Sequence, residues 1–409
     1  MNTVRILVAG GNYAGLSAVQ HLYSTLLARA KPANVHVTMI DRRDGFVHYM
    51  GMTRGLTEPE YGKSLWMPYA TTPWLSHPRI TIRQATIAEI IPRSVRLACG
   101  ESLDFDYLVI ALGLGRFAPI GMRAATKDAF VQDLAASYAQ LAAAKTVAVV
   151  GGGAVGIEMA ADVKSDFPDK AVTLVHSRSS LLPGPFLDEL RIATADALQN
   201  RLGVRLELGR RVVAQSPQSA DMTCAPHDLP ELAQATATDA TLTLSDGATL
   251  HADWVVRCLG ARSRAPLVSL PPSPDCPPVF GAGGIRVRPT MQVDDAQYPH
   301  IYACGDICNI EEVKLAGMAM YGGYIAARNI ARTILHPERT DLDQAKPQPP
   351  RTLLLLGKDC SLLQKGDVLY SEKEARAFTE EDIGLQHCVD ALSLTKTPDA
   401  ATPYDTPKW

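Results

Sequence analysis

The chain opens on a short, largely apolar and β-branched run, Val4-Arg5-Ile6-Leu7-Val8-Ala9, that stops at Gly10-Gly11-Asn12-Tyr13-Ala14-Gly15. Such a run predicts a strand buried in a parallel sheet. From Leu16 to about Ala30 the apolar positions take helical spacing, and Val35 to Ile40 restores a strand that ends at Asp41. Strand, glycine turn, helix, strand and acid make up the first half of a dinucleotide-binding βαβ unit.

The same series returns about 140 residues later. Thr146 to Val150 predicts a strand, Gly151-Gly152-Gly153-Ala154-Val155-Gly156 the turn, Glu158 to about Ser165 a helix, and Ala171 to His176 the second strand. Two copies at that separation mean two nucleotide sites, not a solenoid, whose periods run ~20–50 residues. Phe105–Gly113, Ala252–Gly260 and Ile301–Asp306 are further apolar strands that end in glycine turns. Ser263 to Pro278 holds six prolines and predicts a linker or crossover, as does Lys346 to Pro350. Gln215 to Ala240 is polar and without pattern and predicts a surface loop; the last ten residues predict little structure. The expected fold is α/β with two Rossmann-like domains, the second inserted into the first. The first nucleotide domain covers 1–118 and 281–345, the second covers 119–280, and a small C-terminal region covers 346–409.

Composition narrows the function. With 409 residues the chain is long enough for two to three domains, and 46% hydrophobic with 20% charged residues is ordinary globular usage. A net charge of −3 leaves no footprint for nucleic acid. The eight cysteines are scattered and none forms C-x-x-C, which fits a reducing compartment better than a disulfide scaffold or zinc site. No apolar run reaches the ~18–20 residues of a membrane span. With a first strand by residue 4, no targeting peptide is expected upstream. The expected location is cytoplasmic, with peripheral membrane contact left open.

The chemistry lies in the turns. The first glycine of such a turn permits the tight bend, the second lets backbone approach a pyrophosphate, and the third permits close helix–strand packing. The phosphates then meet the free N–H groups of a helix N-terminus. Gly151, Gly153 and Gly156 satisfy the full pattern; in the first copy Gly10 and Gly15 flank Asn12, which stands at the middle glycine. Asparagine tolerates positive φ better than other non-glycine residues, so the departure is compatible with the turn. Asp41 is placed to accept an adenosine ribose. The equivalent position of the second copy is His176, followed by Ser177 and Arg178. No carboxylate there repels a 2′-phosphate, and Arg178 can pair with one, which leans toward NADPH. Gly305-Asp306 follows a strand that returns to the first domain and can bind a ribitol hydroxyl of FAD. Lys314, ahead of a small-residue helix from Ala316 to Ala331, is a candidate cation for the flavin pyrimidine. Arg42 to Tyr69 holds no cysteine, so the C-x-x-x-x-C of a thiol relay is missing and electrons leave directly from the flavin. Cys304 and Cys308 flank Asp306, an arrangement that leaves little freedom for disulfide geometry. No metal site is expected.

Together, GGNYAG with Asp41, FDYLVIALG, VAVVGGGAVGIEMAADVK, VTLVHSR and IYACGDI followed by Lys314 resemble the two-dinucleotide-binding flavoprotein reductases. The likeness is strongest to the apoptosis-inducing-factor-like, ferroptosis-suppressor-type NAD(P)H:quinone oxidoreductases, with type II NADH dehydrogenases as cousins. It covers about residues 4–340 and is most specific over 147–178. It implies FAD against Gly10, Gly11, Asn12, Tyr13, Ala14, Gly15, Asp41, Arg42, the Ala111–Gly113 turn, Gly305 and Asp306. It implies NAD(P)H against Gly151, Gly153, Val155, Gly156, His176, Arg178 and Gly260. Glu158 would contact the nicotinamide nucleotide and Lys314 would lie near the isoalloxazine, the two candidate catalytic residues. Leu112 stands where the family usually has threonine, and the tail after Gly357 departs from the membrane-contacting segment of the quinone reductases. The implied activity passes hydride from NAD(P)H to flavin and electrons on to a quinone or similar small acceptor. A biosynthetic oxidoreductase with a dedicated substrate, and an NAD(P)H-sensing signalling protein, are the other readings.

Overall fold

The computed structural model describes residues 3–29, 33–121, 123–216, 237–260, 262–263, 267–274, 276–281, 283–378 and 381–401. Strand β1 (Val4–Ala9) leads through the first glycine turn into helix α1 (Tyr13–Leu22), which ends in one wider π turn at Tyr23–Leu27. Strands β2 (Val35–Asp41), β3 (Ile80–Gln84) and β4 (Tyr107–Ile110) follow. The chain then leaves this sheet through helix α2 (Lys127–Ala143). The second unit holds β5 (Thr146–Val150), α3 (Ala154–Asp166), β6 (Ala171–His176), β7 (Arg205–Leu208), β8 (Val212–Ser216), β9 (Ala237–Leu244) and β10 (Thr249–Arg257). It returns to the first sheet as β11 (Ile301–Ala303), followed by α4 (Ala316–Leu335).

The first sheet is parallel throughout, in the order β11-β4-β1-β2-β3. The second runs β7-β6-β5-β10-β9-β8; its first four strands are parallel and β9 and β8 are antiparallel additions. Alternation along β1 sends Ile6 and Val8 to one core with α1 and α4, and Leu7 and Ala9 to another, as a sheet covered on both faces requires. In β5, Val147 and Val149 face Ile157, Ala160 and Val163 of α3, while Ala148 and Val150 pack on Leu242 and Val255.

Two expectations need correction. Gln215 and Ala240 lie in β8 and β9, so the interval predicted as loop begins and ends as a strand pair; its middle, 217–236, is outside the described residues. The proline-rich crossover is no mere linker, because Val268 and Leu270 are buried under the first sheet and Val268 bridges Ile90. The C-terminal region forms a layer of its own, and of the last ten residues, expected to hold little structure, 402–409 lie outside the described residues. Strands β12 (Arg351–Leu356), β13 (Cys360–Lys365) and β14 (Val368–Leu369) form an antiparallel sheet, followed by α5 (Leu385–Ala391). Leu354, Leu356 and Leu362 join the core of the second unit, and Cys388, Val389 and Leu392 join that of the first. The tail therefore packs on both units.

Candidate functional site

The two glycine turns superpose in their logic atom by atom. Gly10 and Gly151 have φ of 103° and 119°, a region closed to most L-residues. Their N–H groups donate to the carbonyl oxygens of Ile40 and Val175, at 2.8 Å in both cases. A Cβ on Gly10 would meet the Ala111 carbonyl oxygen at 2.4 Å, and one on Gly151 the Cys258 carbonyl oxygen at 2.4 Å. A Cβ on Gly15 would stand 1.8 Å from the Gly10 oxygen, and one on Gly156 1.8 Å from the Gly151 oxygen. Each helix can thus enter only if its third glycine lacks a side chain. A Cβ on Gly153 would meet nothing within 4 Å, which leaves its backbone open to a phosphate. Its counterpart Asn12 is extended at φ −101°, as is Gly153 at −81°, so no positive φ is asked of asparagine and that reason for its tolerance is withdrawn. Asn12 instead accepts the Val47 N–H through Oδ1 at 3.1 Å, tying the turn to the strand Gly45–Val47.

At the end of the second strand both copies use a side chain to hold the turn. Gly11 N–H donates to Asp41 Oδ2 at 2.7 Å; Gly152 N–H donates to His176 Nδ1 at 3.1 Å. Asp41 is also clasped by Arg43, whose backbone N–H and Nε donate to Oδ1 at 2.8 and 3.1 Å and whose Nη2 donates to Oδ2 at 3.2 Å. Burial alone would raise this carboxyl; the Arg43 charge and the hydrogen bonds outweigh it and hold the group below the ordinary carboxylate range. His176 is buried, and desolvation, reinforced by the Arg178 charge, lowers its pKa. The Nδ1 that accepts the Gly152 N–H carries no proton of its own. Arg178 is exposed and its side chain makes no ion pair or hydrogen bond among the described residues.

The two units and the C-terminal layer enclose a cavity of about 820 Å³, within the ~300–1,000 Å³ of cofactor sites. Gly10, Asn12, Tyr13, Ala14, Asp41, Arg42, Ala111, Gly113, Gly305, Asp306 and Lys314 line it from the first unit, and Val155 and Glu158 from the second. The other predicted residues, Gly11, Gly15, Gly151, Gly153, Gly156, His176, Arg178 and Gly260, do not line it. Gly260 follows Cys258, which donates to Val150 as Ala111 does to Ala9, and so occupies the place of Gly113 in the other copy. Lys314 Nζ donates to the carbonyls of Cys308 and Ile310 at 2.7 and 3.3 Å, which fixes its ammonium at the wall. Asp306 faces Arg116 at 3.6 Å; burial raises its carboxyl while Arg116 and Lys314 pull it back. Glu158 accepts Leu355 N–H at 3.3 Å, and burial, then the Asp162 charge, pushes its carboxyl up to about 8. Asp162 is in turn pushed up to about 6 by burial, against the pull of Arg54 at 3.4 Å.

Several members escape sequence reasoning. Arg42, expected at the cofactor, donates through Nη1 to the carbonyls of Arg123 and Ala124. Arg43, one position on, is the residue that neutralises Asp41, and the doubled arginine after the acid was the available signal. Arg54, Arg116, Tyr69 (which donates to the Gly11 oxygen at 2.7 Å) and the C-terminal Leu353, Leu363 and Phe378 carry no motif. Cys304 and Cys308 are free, buried thiols, both raised by desolvation. Among the described residues no helix is long and apolar enough to cross a membrane, and no group of three or more metal-ligating side chains occurs.

Comparisons with known proteins agree with this geometry. The family model described as pyridine nucleotide-disulphide oxidoreductase matches residues 4–323. Oxidoreductase OXR1 of Ajellomyces capsulatus is 29% identical, over 96% of this chain and 88% of its own length. Ferroptosis suppressor protein 1 of Homo sapiens is 26% identical over 87% of both chains. Among solved structures, an engineered water-forming NADPH oxidase bound to NADPH shares the fold with a TM-score of 0.65 at 17% identity, over 89% of this chain and 75% of that one. A NAD-dependent persulfide reductase from A. fulgidus shares it at 0.64 and 18%, over 91% of this chain; this chain spans 65% of that protein's length.

Proposed function

The chain belongs to the pyridine nucleotide-disulphide oxidoreductase family, whose cofactors are FAD and NAD(P)H, and from that premise we propose that it is an NAD(P)H-oxidising reductase that passes electrons to a small quinone-type acceptor without a redox disulfide. The observation that carries the reading is one cavity lined by Gly10, Asn12, Tyr13 and Ala14 of the first glycine turn, by Ala154, Val155 and Glu158 at the start of the helix that follows the second, and by Leu353, Leu355 and Leu363 of the C-terminal sheet. The residues fit the cofactors: Gly10, Gly15, Gly151 and Gly156 are places where a Cβ cannot be accommodated, and Gly153 leaves its backbone bare. When bound, FAD supplies hydride acceptance and onward electron transfer.

The chain's own part is positioning and proton control. The turn at 10–15, with Asp41 held rigid by Arg43, orients the adenosine half of one nucleotide, and Asp306 and the Ala111–Gly113 turn flank its flavin half. The turn at 151–156 brings the second nucleotide to the same cavity, with Arg178 free for a 2′-phosphate. Glu158, protonated at neutral pH, can hold and release a proton at the cavity wall, and Lys314 presents a fixed positive charge opposite. Leu353, Leu355, Leu363 and Phe378 exclude water and suit a flat apolar acceptor.

Stopped-flow mixing of the purified flavoprotein with NADPH, then with an uncharged quinone, tests the proposal. Rapid bleaching and rapid recolouring support it. Glu158→Gln should slow recolouring, and the unmodified rate should decline as pH rises through about 8, where Glu158 loses its proton. Cys304→Ala with Cys308→Ala should leave both phases within a few-fold. Bleaching without recolouring by any quinone would overturn the acceptor class; a long-lived reduced complex with no turnover would favour a sensor.

A further inference from the structure

Strands β12 and β13 pair antiparallel, with Arg351 opposite Lys365, Leu353 opposite Leu363, and Leu355 opposite Ser361. Strand alternation puts Arg351, Leu353 and Leu355 on one face with Leu363 and Lys365, and all five line the cavity, while Leu354 and Leu356 turn to the core of the second unit. That face carries Leu353, Leu355 and Leu363 toward the cavity and is doubly cationic at one end. Like charges directly opposite in an antiparallel pair are destabilising, because the side chains are only ~4.5–5.5 Å apart at Cβ. The protein does not relieve this: among the described residues neither Arg351 nor Lys365 makes an ion pair or side-chain hydrogen bond. Lys365 Nζ lies 3.6 Å over the Phe378 ring and 5.5 Å over that of Tyr370, aromatic faces that stand in for an anion. The carboxylates of the wall are spoken for elsewhere, Asp41 by Arg43 and Asp306 by Arg116, while Glu158 lies beneath Leu355.

Resting on the reading of the cavity as an acceptor site, we infer that the acceptor is an anionic quinone: a flat apolar ring laid on Leu353, Leu355 and Leu363, with a carboxylate- or sulfonate-type substituent bound by Arg351 and Lys365. An anion at that end relieves the cross-strand repulsion and makes charge-assisted contacts, with Arg351 able to bind two oxygens at once. The reaction balances as NAD(P)H plus one proton plus quinone giving NAD(P)+ plus quinol, and the substituent takes no part in it. Phe378, half exposed at the rim, gives up Lys365 as the anion enters.

The test uses holoenzyme reduced by NADPH and reoxidised with 1,2-naphthoquinone-4-sulfonate or with uncharged 1,2-naphthoquinone. The readout is the ratio of the two kcat/KM values, compared between the unmodified protein and variants so that the intrinsic reactivity of each quinone cancels. The ratio should fall about tenfold in Arg351→Gln with Lys365→Gln, fall less in either single variant, and be retained in Lys365→Arg. In the unmodified protein it should shrink as salt rises. An unchanged ratio, or equal losses with both quinones, would overturn the inference and leave the proposed function standing. Lost flavin, or slowed flavin reduction by NADPH, would assign these cations to a cofactor phosphate and likewise overturn it. Reoxidation by neither quinone in the unmodified protein would remove the proposed function and this inference with it.

Discussion

The turns at 10–15 and 151–156 have the same backbone and the same forbidden positions for a side chain, yet each is braced by different chemistry. The first is braced by charge: Asp41 takes the Gly11 N–H and is neutralised by buried Arg43, while Asn12 ties the turn to Val47. The second is braced by an imidazole ring, since His176 takes the Gly152 N–H, and the place of a side chain on Gly153 is open space. Under the proposed function, the difference matches a division of labour. A turn with a closed electrostatic network suits a nucleotide that stays bound, and a turn with an unhindered middle glycine and an exposed cation nearby suits one that must come and go. Rigid pre-organisation lowers the ordering cost of binding at the first turn; the second keeps its contacts few.

The sharpest way to break this comparison is to place the same methyl group in both turns. Gly15→Ala and Gly156→Ala each force Cβ into a carbonyl oxygen, a conflict that must move a helix and costs at least ~1–3 kcal/mol. The first should yield colourless protein. The second should yield yellow protein whose reduction by NADPH is slowed at least a hundredfold. Absorbance at purification and stopped-flow reduction separate the two, and loss of flavin from both variants would mean that the turns are not functionally distinct.

Next in size is Asp41→Asn, which leaves Arg43 buried without its anion and should destabilise the protein by about 3–5 kcal/mol, read as a lower denaturation midpoint and flavin release. His176→Gln should cost far less. The pH dependence has the same sign at both sites. Each group has a folded pKa below its unfolded one, so its stabilisation is present at higher pH and is lost as pH falls. For His176 the loss begins below about 6.5; for Asp41 it comes only within and below the carboxylate range. Denaturation at pH 7 and pH 5.5 should show a drop that His176→Gln reduces.

A smaller effect is expected at the nucleotide that exchanges. Arg178→Ala should raise the apparent KM for NADPH about tenfold and leave NADH nearly unchanged, as loss of a screened arginine–phosphate contact requires. His176→Gln should leave the NADPH-to-NADH ratio within twofold, because its ring points at Gly152. Equal weakening of both nucleotides by Arg178→Ala would remove it from the 2′-phosphate. The smallest change is Asn12→Gly, which makes the first turn resemble the second at the cost of the Val47 hydrogen bond, about 1 kcal/mol. Flavin should be retained and dissociate a few-fold faster, measured by fluorescence on dilution.

The local pattern of this chain determined its elements and its two nucleotide turns. An apolar β-branched run that ends in glycine has one stable use, and β1, β5 and β6 begin and end where the hydrophobic pattern changes. Gly10, Gly15, Gly151 and Gly156 could be named because each excludes a side chain through contacts only a few residues away or across one strand. The rest depended on packing between segments far apart in the chain. That Arg43 rather than Arg42 meets Asp41 is set by which side of the strand end each side chain leaves, and that His176 turns inward is set by the burial of its ring. The raised carboxyl of Glu158 exists only because the assembled fold buries it beside Asp162, against the opposing pull of the Leu355 N–H and of Arg54. The C-terminal end of the cavity was illegible for the same reason: Leu353, Leu363, Lys365 and Phe378 follow no motif, and a strand's alternation says which residues share a face without saying what that face will meet. Charge and hydrophobicity along a chain are local quantities, whereas desolvation and cross-strand register are properties of the assembled fold.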